Sequence, residues 1–283
     1  MSLYLEHFGL NEAPFSLTPD TAFFFGGGPH REALETLEVA LASGEGFLKV
    51  TGEVGTGKSL LCRALLNMSD RRYFTAYVPN PELSPAGINR ALADELELDL
   101  PQNLQKHGLY KAIARRLIDL AAEGRQTVLV IDEAQAMPEP TLEALRLLTN
   151  LETEKRKLLH VVLFGQPELD ERLQRPSVRQ LRQRITFSYR LRPLAAAEVR
   201  DYLDHRLAAA GAADGVAFTG RAARLLARAS GGVPRLVNVL AHKSLMAAYG
   251  EGALRMAPRH VKRAVDDTEG VRPGGLFRMG GAA

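Results

Sequence analysis

The sequence predicts an α/β fold in which a parallel sheet is flanked by helices, followed by a small all-helical domain. Three observations carry this. Short apolar runs alternate with segments of helical apolar spacing over the first 190 or so residues. The first of those runs leads directly into a glycine-rich turn. After Pro193 the strand-like runs stop and only helical spacing remains.

Residues 47–51, FLKVT, read as a strand running into glycine. Residues 73–78 are a second strand, ended by Pro79-Asn80-Pro81. Residues 84–96 and 107–122 show helical spacing. Residues 127–131 form a continuous apolar run, the pattern of a strand buried on both faces. Pro138 opens a helix that places Leu142, Leu145, Leu148 and Leu151 on one face. Residues 159–164 and 185–191 supply the last two strands. Beyond Pro193, helices are expected over 196–210, 220–229, 234–249 and 258–267, punctuated by Gly211, Gly231-Gly232 and Gly250 to Gly252. The expected domains are 1–192 for the α/β part and 193–268 for the helical part, with a Gly-rich tail at 269–283 expected to be disordered.

Composition narrows the class. The single cysteine, Cys62, excludes an internal disulfide. No apolar run approaches the roughly 20 residues of a membrane helix, and the opening MSLYLEHFGL lacks the basic-then-apolar order of a signal peptide. A cytoplasmic protein is the expectation. The net charge of +3 hides an asymmetry: residues 1–170 carry 16 Lys/Arg against 24 Asp/Glu, and residues 171–283 carry 20 against 9. A basic half is compatible with nucleic acid, an acidic partner or a neighbouring subunit, and equally with a solvated helical surface.

The chemistry begins at Gly52-Glu53-Val54-Gly55-Thr56-Gly57-Lys58-Ser59, which fits G-x-x-x-x-G-K-[ST] at every fixed position and runs on through Leu60. Glycines let backbone N–H groups turn inward around phosphate oxygens, and the following helix points its positive end at the same anion. Lys58 reaches the β- and γ-phosphates, and the Ser59 hydroxyl is suited to Mg²⁺. ATP and Mg²⁺ are therefore the expected ligands.

The second signal is Val128-Leu129-Val130-Ile131-Asp132-Glu133. The apolar run puts Asp132 at the carboxyl end of a buried strand, where such sheets bind ligands. Asp132 is expected to hold Mg²⁺ and Glu133 to act as general base on the attacking water. Cys62, on the helix after Lys58, reads as a small core residue. The seven histidines show no metal-ligand spacing.

GEVGTGKS, VLVIDEAQ, LTNLETEKRKLLHVVLFGQPEL, RQLRQRI and SGGVPRLVN, with the opening YLEHFGLNEAPFSLTPDTAFFF, resemble the ExeA/GspA-type AAA+ ATPase family over residues 3–268. Within that family the chain looks most like the short, MshM type that serves MSHA-type pilus biogenesis; longer members add a membrane helix and a peptidoglycan-binding domain. The resemblance implies a P-loop AAA+ domain with a helical lid, and a homo-oligomer, ring or filament. It also implies pilus or type II secretion assembly proteins at the inner membrane as partners, with peripheral membrane association through them. It matches Gln166 to the sensor-1 position, Arg235 to sensor 2 and Arg184 to an arginine finger, with Arg182 as its alternative. Pro14-Phe15 stands either at the adenine or in the core.

A nucleotide-gated scaffold with negligible turnover is a third reading, against which Glu133 argues, and two functions remain in competition. One is an ATPase that drives or regulates pilus or secretion assembly. The other, less favoured, is an ATP-dependent DNA-binding regulator of the transposition-helper kind, which the basic second half fits although no helix-turn-helix or zinc module is visible.

Overall fold

The computed structural model describes residues 3–67, 72–101, 104–152, 156–269 and 271. They fall into two compact units: Ala33–Val54 with Leu61–Leu191, and Met1–Glu32 with Gly55–Leu60 and Arg192–Ala283. This division differs from a single cut at residue 192, because the opening segment clusters with the helices at the other end of the chain. The tail expected to be disordered lies, apart from Glu269 and Val271, outside the described residues.

The first unit is built on five parallel strands in the order β2-β3-β4-β1-β5. They are β1 (Phe47–Gly52), β2 (Tyr73–Val78), β3 (Gln126–Ile131), β4 (Leu159–Gly165) and β5 (Ile185–Leu191). Register pairs Val78 with Ile131, Ile131 with Leu163, and Thr51 with Gly165, so the strands finish along one edge. Every residue of β4 is buried, as suits a central strand that is apolar but for His160, whose Nδ1 lies 2.7 Å from the Glu45 carbonyl. β5 alternates between half-buried and exposed positions, as suits an edge strand. Helices α4 (Pro85–Glu95), α5 (Lys106–Ala122) and α6 (Glu139–Leu148) contribute Ile88, Leu92, Ile113, Leu117, Leu142 and Leu145 to the core with Leu129, Val161 and Leu163. Ser84 caps α4 by accepting from the Gly87 N–H. α6 stops one turn before Leu151, which was expected on its apolar face. The Leu151 carbonyl instead accepts from Leu158 N–H at 3.0 Å, in the approach to β4.

The second unit contains α1 (Leu3–Phe8), α9 (Ala196–Ala209), α10 (Gly220–Ser230), α11 (Pro234–Gly250) and α12 (Pro258–Asp266), with a pair of two-residue parallel strands at Ala217–Phe218 and Arg255–Met256. Tyr4, Phe8, Leu10, Phe15 and Phe23 enter the same core as Leu203, Leu226, Val237 and Leu245. Phe15 meets the edge of Phe218 with ring centres 6.0 Å apart, so it is a core residue of this unit. Arg206, 3% exposed, fastens the segment: Nε donates to the Pro14 carbonyl and Nη2 to the Ser16 carbonyl at 3.3 Å, while the guanidinium lies 4.5 Å from the centre of the Phe23 ring.

Three further helices bear on the site. α2 (Gly28–Ala42) begins in the second unit and continues into the first, α3 (Lys58–Asn67) follows the glycine-rich turn, and α7 (Pro167–Leu173) follows β4. A one-turn helix, α8 (Arg179–Arg182), precedes β5.

Candidate functional site

The glycine-rich turn leaves the carboxyl end of β1 at Gly52 and enters α3 at Lys58. Gly55 and Gly57 adopt φ of +80° and +96°, which side-chain-bearing residues avoid. A Cβ on Gly55 would lie 2.8 Å from Arg235 Cβ, and one on Gly57 would lie 2.6 Å from His30 Nε2. The turn is thus both conformationally left-handed and closely approached. Its carbonyls are held from outside: Gly55 O accepts from Arg235 N–H at 3.1 Å, and Thr56 O is 2.8 Å from His30 Nε2. A carbonyl only accepts, so that His30 nitrogen carries the proton. Burial holds the His30 imidazole below the ordinary histidine value, against the opposing pulls of the Thr56 bond and the Glu198 carboxylate. Thr56 and Lys58 are buried; Glu53, Gly57, Ser59 and Leu60 are half-buried, and Val54 is exposed.

At the carboxyl edge of the sheet, β3 delivers Asp132, 5% exposed, whose Oδ1 accepts from Glu133 N–H at 2.9 Å. Glu133 has left-handed backbone, φ 50°, an uncommon conformation for a non-glycine residue. Its Oε2 accepts from Gln135 Nε2 at 2.5 Å and from Gln166 Nε2 at 3.2 Å. Gln166 stands at the end of β4, and its N–H donates to Gln135 Oε1 at 3.0 Å. Helix α7 secures the surroundings. Arg172 donates to the carbonyls of Gln135 and Met137, and Asp170 bonds Lys49 and, at 3.0 Å, the Thr51 hydroxyl on β1. Cys62 is buried, and burial together with Asp132 pushes its thiol well above the ordinary value. Tyr77 is likewise pushed up to about 12, first by burial and then by Cys62 and Asp132.

Asp132, Glu133 and Gln166 are therefore brought together at one sheet edge, and Gly55 is brought against Arg235. The Arg235 side chain is exposed and makes no hydrogen bond or ion pair with the described residues. Arg184 stands apart. It precedes the amino end of β5, roughly 20 Å along the sheet from the acidic edge at about 3.3 Å per residue. Its Nη1 donates to Thr149 Oγ1 at 3.2 Å, whereas Arg182 is exposed. Sequence reasoning missed His30, Gln135, Asp170 and Arg172. Gln135 stood inside the quoted VLVIDEAQ, three residues past Asp132, but nothing in the spacing distinguished it. His30 was one of seven scattered histidines.

Residues 41–173 match the family model of the AAA domain. With the strand order and the glycine-rich turn already described, that decides the matter. The α/β unit has the P-loop AAA fold. The whole chain is also similar to General secretion pathway protein A of Aeromonas hydrophila, 40% identical over 278 residues that make up 98% of this chain and 51% of that protein. The chain thus spans about half the length of that relative. Among solved structures, the AAA domain and its helical companion resemble the ORC2 protein of Aeropyrum pernix, with a TM-score of 0.68, 16% identity and coverage of 92% and 72% of the two chains. Cdc6p of Pyrobaculum aerophilum gives 0.66, 21%, 90% and 70%. The RuvB branch migration motor of Thermotoga maritima gives 0.59, 17%, 88% and 71%. At these identities the likeness is one of fold: the P-loop AAA fold.

Proposed function

We propose that this chain is an ExeA/GspA-type AAA+ ATPase that binds ATP with Mg²⁺ and hydrolyses it, and that its nucleotide state drives or regulates assembly of a type II secretion apparatus or an MSHA-type pilus. The observation that carries the nucleotide reading is the turn at Gly55 and Gly57, where left-handed backbone and close packing leave no room for side chains. The residues fit the ligand. Backbone amides of residues 55–60 and the start of α3 suit phosphate oxygens, and a carboxylate with a hydroxyl suits a hard cation. Asp132 and Ser59 would hold Mg²⁺, which would offset charge on the phosphate oxygens. Lys58 would neutralise the β- and γ-phosphates. Glu133 would take the proton of the attacking water, Gln166 would orient that water or the γ-phosphate, and Arg235 would report the γ-phosphate to the helical unit.

The assembly role rests on the similarity to General secretion pathway protein A, and the MshM assignment on the motifs quoted above. Among the described residues no helix is long and apolar enough to cross a membrane. Cytoplasmic location with attachment to the inner membrane through partners belongs to the same proposal, as does nucleotide-dependent self-assembly into a ring or filament.

Two variants test the core of this reading. Lys58→Ala should abolish or severely weaken ATP binding, and unchanged affinity by calorimetry would sink the P-loop assignment. Glu133→Gln should bind ATP but lose turnover by about 10²–10⁴-fold; hydrolysis at more than a third of the wild-type rate would remove Glu133 from the base role.

One observation favours a second reading, binding of nucleic acid. Arg221, Arg224 and Arg228 form a single exposed stripe on α10, a helix without any acidic residue, and none of the three has an ion pair among the described residues. Salt-sensitive retention of duplex DNA that is lost in the triple Arg→Gln variant would support it.

A further inference from the structure

We infer that Gln135 is a positioning residue for hydrolysis: its side-chain amide bridges the Glu133 carboxylate and the backbone of Gln166, and so fixes the direction in which that carboxylate faces. The inference rests on the reading of Glu133 as general base and adds a residue to which neither the sequence motifs nor the family similarity gives a role.

Glu133 begins from an unfavourable position. Its left-handed backbone lies on a turn directly after β3, where three side-chain torsions would otherwise leave the carboxylate free to sweep. Two amides hold it, both on Oε2: Gln135 Nε2 at 2.5 Å and Gln166 Nε2 at 3.2 Å. Oε1 keeps no partner among the described residues and remains the oxygen open to a water molecule. The orientation of the Gln135 amide is settled by its neighbours. Its oxygen faces the Gln166 N–H at 3.0 Å, which can only donate, so its NH₂ must face the carboxylate, which can only accept when ionised. Gln135 is itself anchored, because Arg172 donates to its carbonyl and to that of Met137. The base is thereby tied to β4 through Gln135 and Gln166, and to α7 through Arg172. A base displaced by about 1 Å from its water can lose on the order of 10²-fold in rate, so a residue that sets this direction affects turnover without touching substrate.

The test compares Gln135→Glu with Gln135→Met. Glutamate preserves size and still accepts from the Gln166 N–H, but it sets a carboxylate against Glu133 in place of a donor. Methionine removes both bonds. Steady-state ATPase assays, ADP affinity by calorimetry and melting temperature are measured on each full chain beside Glu133→Gln. We expect both variants to lose about tenfold or more in kcat, with KM for ATP, ADP affinity and melting temperature close to wild type. Gln135→Glu at more than half the wild-type kcat, beside an inactive Glu133→Gln, overturns the role of Gln135 and leaves the base assignment standing. Loss of kcat matched by loss of ADP affinity or of melting temperature makes Gln135 merely structural and also overturns it. Fast turnover by Glu133→Gln removes the base reading, and this inference with it.

Discussion

Arg235 N–H donates to the Gly55 carbonyl at 3.1 Å, so the first turn of α11 is hydrogen-bonded to the middle of the glycine-rich turn. Arg235 Cβ also occupies the space that a side chain on Gly55 would need. Any nucleotide-driven shift of that turn therefore has a direct mechanical connection to the longest helix of the second unit.

Gly55→Ala should break this connection and the cradle together. A left-handed alanine costs about 1–2 kcal/mol, and its Cβ would also have to displace Arg235. ATP affinity should fall at least tenfold while the melting temperature changes by only a few degrees. Affinity within twofold of wild type would mean that the turn can relax around a methyl group.

Asp132→Asn should raise the Mg²⁺ concentration needed for half-maximal turnover, since a neutral amide is a poorer ligand for a hard cation. An unchanged Mg²⁺ titration would show that the metal is held elsewhere.

Acid should destabilise the fold through its buried and half-buried imidazoles. Burial lowers His30, His160, His205 and His242 from the ordinary value. Each resists protonation when folded, so the unfolded chain binds more protons below about pH 6.5. The stability these residues allow is complete above that pH and is lost as the pH falls toward their depressed values. Melting temperature should drop between pH 7.5 and 5.5, and His30→Gln should reduce the drop. A flat profile would show that these rings do not change protonation on unfolding.

The finger assignment calls for a mixing experiment. Arg184 lies at the amino end of the sheet, far from the acidic edge of its own domain, so a role at a phosphate requires a neighbouring copy. Arg184→Ala should be inactive alone and regain turnover when mixed with Lys58→Ala, because one copy supplies the nucleotide site and the other the arginine. Failure of rescue in oligomers shown to be mixed would exclude Arg184. Arg182, the more exposed of the two, would then be tested in the same way.

Much of the fold was legible in the sequence because short apolar-rich runs bounded by turn residues mark strands, even where polar residues interrupt them as in YFTAYV and ITFSYRL. The segments 73–78 and 185–191 were read with their exact limits, and the proline at 138 and serine at 84 marked helix starts. The P-loop and Asp132-Glu133 were legible because phosphate and metal chemistry restrict residue types at fixed spacing. His30, Gln135 and Arg172 were not, because each acts by a hydrogen bond to a residue distant in sequence or to a carbonyl, and a carbonyl has no sequence signature. The small Ala217–Phe218 and Arg255–Met256 pair was missed for a similar reason: two residues carry no periodicity.

The bond from Arg206 to Pro14 spans 192 positions, and it belongs to a core shared by Tyr4, Phe8, Leu10 and residues as late as Val271. During synthesis residues 4–23 emerge well before α9 to α12 and must keep their apolar side chains from other surfaces until those helices follow. The sheet between them can close as soon as β5 emerges, but the helical unit cannot be completed until α12 is free. Completing it is therefore the closing of one long loop, whose entropic cost rises only slowly with length. The vulnerable interval is the wait, when the apolar opening segment stands exposed to chaperones and to other nascent copies.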